Sequence, residues 1–218
     1  MSLFASLLRD FRRTASDLPG LFSGHFCVMF LPLAPLLGDE ATLPGYYSDQ
    51  TYFCRLRETY TDPLAPYRCK KQLKAGRCVI LELDGLGSFV FTNHYHSALF
   101  QNLQRKFPGV TSYVFCSDGP GGYFKILKDG RIQRKIASYM WSEGMGSYAE
   151  TRGAPCAYEL ETGHIFKVDP KARHLREMMP DFTKREVLDL FDYYVGLDRF
   201  QSEALRRTLV YDLESPNT

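Results

Sequence analysis

Motifs that bind small cofactors are missing from this chain. It has no C-x-x-C pair, no G-x-x-x-x-G-K-[ST] loop and no G-x-S-x-G elbow. Gly85-Leu86-Gly87 also lacks the third glycine of a dinucleotide fingerprint. Those absences remove a zinc knuckle, a P-loop, a serine-hydrolase elbow and a Rossmann phosphate turn from consideration. Charge of one sign is equally scarce, with 27 basic against 25 acidic residues and a net charge of +2. No bulk field therefore recruits nucleic acid or an anionic membrane. The apolar stretch 24–38 is too short and too proline-rich to span a bilayer, and Asp10 and Asp17 spoil the basic leader a signal peptide needs. It reads as a buried strand, and the expected setting is the cytoplasm.

Aromatic residues are plentiful, with 16 Phe and 14 Tyr beside a single Trp. Tyrosine joins a large apolar area to a hydroxyl, which suits partly exposed binding surfaces, although most of the Phe belong in a core. The six cysteines are scattered, and Cys27, Cys78 and Cys116 lie in strand-like apolar runs. There they read as reduced, small core hydrophobes in a reducing compartment.

The 218 residues read as a single domain, with 1–75 the less regular part and 76–218 built of hairpins and helices. An amphipathic helix is expected over 2–14, and strands over 25–31 and 51–59. The run 78–83, a turn at 84–87 and the run 88–92 make an antiparallel hairpin. Asn93 can cap a following helix that carries Leu99, Phe100, Leu103 and Phe107. Residues 110–116 are β-rich, and 123–127 with 131–137 form the clearest hairpin through Lys128-Asp129-Gly130. Strict alternation there places Ile132, Arg134 and Ile136 on one face.

Residues 138–164 read as an exposed, irregular region. Thr183 and Glu186 form a capping box for a helix that ends at Gly196, and Asp198 with Gln201 starts a second one. The expected class is α+β: a mainly antiparallel sheet with helices packed on it and a C-terminal helix pair.

Three constellations could carry chemistry. His94 and His96, with Glu82 or Asp84, have the residue types of a metal site, but a helix start would splay the two rings, so no metal and no cofactor are expected. A hydrolase with a dispersed Cys/His site stays open as an alternative, since such partners need not be neighbours in sequence. Arg68, Lys70, Lys71, Lys74 and Arg77, beside Tyr67 and joined by Lys128, Arg131 and Lys135, could bind phosphates. The near-neutral chain disfavours nucleic acid as the partner. The stretch 138–153 is the better interface: Tyr139, Trp141, Glu143, Met145 and Tyr148 lie among adaptable glycines, with Arg131 and Glu150 at the rim.

The half of the chain from 89 to 198 also carries a recurring pattern. Its pieces are Phe91-Thr92-Asn93, Asp118-Gly119, a hairpin from Tyr123 to Arg134 with Asp129-Gly130 at its turn, Gly153-Ala154-Pro155 with Glu159, and a helix ending in Gly196-Leu197-Asp198. This pattern resembles small bacterial immunity proteins of polymorphic and type VI secreted toxins. The resemblance implies a non-enzymatic protein that binds a cognate toxin and occludes its active site. The sequence leaves the oligomeric state open, a homodimer included.

Overall fold

The computed structural model describes residues 25–33, 40–44, 51–60, 77–93, 98–118, 121–140, 147–172, 175–178, 184–200 and 205–214. Its frame is one antiparallel sheet of ten strands: β1 (His25–Leu31), β2 (Glu40–Pro44), β3 (Thr51–Tyr60), β4 (Arg77–Leu83), β5 (Gly87–Asn93), β6 (Thr111–Asp118), β7 (Gly121–Lys128), β8 (Arg131–Met140), β9 (Ser147–Arg152) and β10 (Leu205–Glu214). Their order is β2-β3-β10-β4-β5-β1-β6-β7-β8-β9. The first and last of the described strands in chain order are thus both interior. β1 zips β5 to β6, and β10 zips β3 to β4.

The expected α+β class is overturned, because the described chain is mainly β. Its helices are short: α1 (Ala98–Arg105), α2 (Ala157–Thr162), α3 (Leu175–Met178) and α4 (Lys184–Val195), the longest having 12 residues. The expected C-terminal helix pair fails in its second member. After α4, Gly196 adopts φ 65°, one 3₁₀ turn follows at Leu197–Arg199, and the chain then enters β10. Leu205 and Leu209, four apart, satisfy a helical and a strand period equally. The run Thr208-Leu209-Val210-Tyr211 decides for the strand, because β-branched and aromatic side chains suit a surface buried on both faces. The irregular region expected over 138–164 is also corrected: it holds the end of β8, all of β9 and α2.

The register shows where the core sits. On the first face, one row across the strands reads Val210, Val79, Phe91, Val28, Phe115, Phe124 and Ile136, apolar throughout. Val187, Leu188, Leu190, Phe191 and Val195 of α4 pack onto that face, the stripe expected of this helix. The second face buries Leu99, Phe100 and Leu103 of α1 against Leu127, Val114 and Met29. Helix α1 is described from Ala98, and the residues between it and Asn93 at the end of β5, with the expected Asn93 cap, lie outside the described residues.

Cys27 and Cys116 stand opposite each other on this second face and are joined by a disulfide, with Cα atoms 4.0 Å apart. That corrects the reading of both as reduced thiols. Cys78 lies two places along the same row, across Thr92, and is buried. The expected helix over 2–14 and the Thr183 capping residue fall outside the described residues. No helix among the described residues is long and apolar enough to cross a membrane.

Candidate functional site

The last three strands, β7 to β9, carry the charged residues of interest. Asp129 and Gly130, at φ 53° and 68°, turn β7 into β8 in the conformation the Asp-Gly pair foretells. This turn is tied to α1: the Gly130 amide donates to Gln104 Oε1, and Gln104 Nε2 donates to Val110 O at 2.5 Å. A bulge then breaks the alternation, since Leu127 faces Ile132 while Ile126 faces Arg134. Ile132 therefore packs with the second-face core, and Arg134 crosses to the first face with Ile136. The expectation that all three share one face is corrected by that one extra residue, Gln133.

On the first face Arg134 meets Glu159 of α2. Arg134 Nε and Nη2 donate to the two carboxylate oxygens at 2.8 and 2.5 Å, and both side chains are buried. Arg134 also donates to the carbonyls of Gly153 at 3.0 Å and Phe166 at 3.1 Å. Glu159 accepts from the amides of Cys156 and Phe166 at 2.9 and 3.0 Å. Burial alone would raise this carboxyl, but the hydrogen bonds from Arg134 and the Cys156 amide outweigh it and hold Glu159 below its ordinary range. Gly153 makes the corner possible, because at φ +86° a Cβ would overlap the Gln133 carbonyl oxygen. With each charge answered by hydrogen bonds, this pair is a fold clasp and leaves no reactive group exposed.

On the second face a different set gathers. The row that begins with Leu209, Ile80, Val90, Met29 and Val114 ends in Lys125, Lys135 and Arg152, one cation on each of β7, β8 and β9. Lys135 forms an ion pair with Glu150, while Lys125 Nζ lies 4.1 Å from the centroid of the Tyr123 ring. Burial, aided by repulsion from Lys135 and opposed by Glu150, lowers Lys125 to about 8. No hydrogen bond or ion pair reaches Lys125 among the described residues. Tyr123 is itself buried, and its hydroxyl sits 3.5 Å from Cys27 Sγ, to which it must donate because the bonded sulfur carries no proton.

The sequence-chosen interface is only partly brought together. Tyr139 stands opposite Tyr148 near the end of the β8–β9 pair where the chain passes from one strand to the other, and Glu150 lies two residues further along β9. Arg131 opens β8 at its other end, exposed and roughly 25 Å from Tyr139 along the strand. It therefore belongs to a separate patch with Lys128, which faces it across the turn. Trp141, Glu143 and Met145 lie outside the described residues, as do His94, His96, Arg68, Lys70, Lys71 and Lys74.

Among the carboxylates considered for a metal, Glu82 is held by Arg207 at 2.5 and 3.0 Å. No cluster of three metal-ligating side chains occurs among the described residues. Cys156, a buried free cysteine, has its thiol pushed up by burial, which makes it a poor nucleophile.

Lys125 escaped the sequence reading although its signal was there. Tyr123, Lys125 and Leu127 alternate on one side of a strand, and a lysine between two apolar neighbours on such a side is out of pattern. No family model, curated protein or solved structure matches this chain.

Proposed function

We propose that this chain is an immunity-type protein that binds a toxin and blocks it sterically, acting through the β7–β9 end of its sheet and not as an enzyme. The observation that carries the reading is the placement of that end. Helix α4 packs on β6 and β7 and α1 on β7, whereas β9 stands at the end of the described strand order with Glu150 and the exposed Arg152 along it. The resemblance to immunity proteins adds support, because two separate pieces of its pattern, Arg134 of the hairpin and Glu159 after Gly153-Ala154-Pro155, form one buried clasp. Pattern positions that meet in space behave as one structural unit.

Such a protein works by affinity, with a few aromatic and arginine side chains carrying most of it. Tyr139 and Tyr148, paired across the last two strands, are the anchors in this reading, with Glu150 at their rim. The reading places the chain in the cytoplasm beside its toxin.

The test is co-expression of the tagged chain with the protein encoded beside it, followed by purification at about 0.5 M salt, where exposed charge contacts are largely screened. A one-to-one complex, together with rescue of growth when the neighbour is toxic, supports the reading. If the neighbour neither co-purifies nor is neutralised, the reading falls.

A further inference from the structure

Building on that reading, we propose that Lys125, Lys135 and Arg152 form a cationic strip that docks the carboxylates of an acidic surface on the protein partner. The strip is formed by register. Lys125 opposes Lys135, and Lys135 opposes Arg152, so three like charges stand side by side across three strands. Like charges directly opposite in a sheet are destabilising, and the protein answers them with the Glu150 carboxylate on Lys135. Neither of the other two has an ion pair among the described residues: Lys125 lies partly buried over the Tyr123 ring and within reach of the Glu150 charge, and the Arg152 side chain is exposed. On a chain of net charge +2 this concentration is local, not part of a general basic field.

The geometry selects the kind of anion. The strip spans two strand spacings, on the order of 10 Å. It ends against Val114 and Met29 on one side and at the last strand on the other. A nucleic acid needs a basic track that follows its backbone, and this one stops after three charges with a carboxylate lying beside it. Two or three acidic side chains of a folded partner fit that length. Glu150 then fixes their register by repelling any placed opposite it. The partner surface is therefore acidic, the reverse of what a basic nuclease would present.

The experiment measures fluorescence anisotropy of the intact chain with a labelled hexaglutamate peptide and, separately, with a six-nucleotide DNA strand. The triple variant K125Q/K135Q/R152Q should weaken peptide binding by about tenfold or more, while K128Q/R131Q, removing charge at the turn, should change it less than about threefold. Glu150→Gln removes no cation and should strengthen binding, which keeps the proposal testable if the triple variant misfolds. Absent peptide binding, equal losses in both lysine/arginine variants, weaker binding by Glu150→Gln, or tighter binding of the DNA would each overturn it. The two ideas fail separately. A toxin complex indifferent to the triple variant sinks the strip alone, and peptide binding without any toxin complex sinks the immunity reading alone.

Discussion

Arg134 and Glu159, 25 residues apart in sequence, meet in a two-pronged buried ion pair that fastens α2 to the eighth strand. The pair also collects the Gly153 and Phe166 carbonyls and the Cys156 and Phe166 amides, so backbone from three segments depends on it.

Glu159→Gln keeps the shape but strands the buried guanidinium without its counter-charge, and should destabilise the fold by about 3–5 kcal/mol. The depressed folded-state carboxyl contributes stability that is present above the ordinary carboxylate range and lost as pH falls through the folded value. The gap between wild type and variant, followed by urea melts, should therefore shrink as the solution is acidified. A gap that is small at neutral pH, or constant with pH, would mean that the pair is not the clasp described.

Gly153→Ala tests the corner beside it. A Cβ there meets the Gln133 carbonyl while the backbone sits at φ +86°, so relaxation requires moving β8 or β9. A loss of about 2 kcal/mol or more is expected from the positive φ and the overlap together. Thermal melts will show it. Gly163→Ala, also at positive φ but with open space around it, should cost less.

How much of this was legible follows from the kind of signal each element carries. Local punctuation was readable: the Asp129-Gly130 turn, the Gly196 stop and the apolar stripe of α4 are set by residues within a few positions of one another. What escaped depends on long-range pairing. β10 carries Leu205 and Leu209 at a spacing that serves a helix as well as a strand; its Thr208-to-Tyr211 run favours the strand, and insertion between β3 and β4 fixes it. β9, with Glu150 and Arg152, is polar enough to pass for a loop and is held by pairing with β8. The extra residue that sends Ile132 and Arg134 to opposite faces is likewise a property of the pairing, and so is the lysine row.

Cys27 and Cys116 give a third prediction. They close a loop across 89 residues of sequence separation and sit in a dry row with Thr92 and Tyr123. Purified without reductant, denatured and alkylated, the chain should leave Cys27 and Cys116 unblocked and yield them as one linked peptide pair, while Cys156 is blocked. Cys27→Ala/Cys116→Ala should cost about 2–4 kcal/mol, since the bond restricts the unfolded chain. Full alkylation without reduction, with no linked peptide, would contradict the pairing.

Lys125 carries the sharpest test, because its contributions to stability and to binding have opposite signs. Its ammonium is drawn out of water next to Lys135, and burial lowers it to about 8 from an ordinary value of 10.5. Below about pH 8 both folded and unfolded chains hold the proton, and the full cost of burying the charge is present. Between about 8 and 10.5 the unfolded chain holds more protons, so this residue makes stability rise with pH there. Lys125→Met keeps the length and removes the charge. It should stabilise the neutral-pH fold by about 1–3 kcal/mol and abolish the rise between those two pH values in a urea-melt series. The same variant should bind the acidic peptide less tightly. A protein that becomes more stable as it loses its ligand retains the lysine for recognition and not for folding. If Lys125→Met instead lowers the melting temperature at neutral pH, the ammonium is satisfied in the free protein, and the strip loses its β7 member.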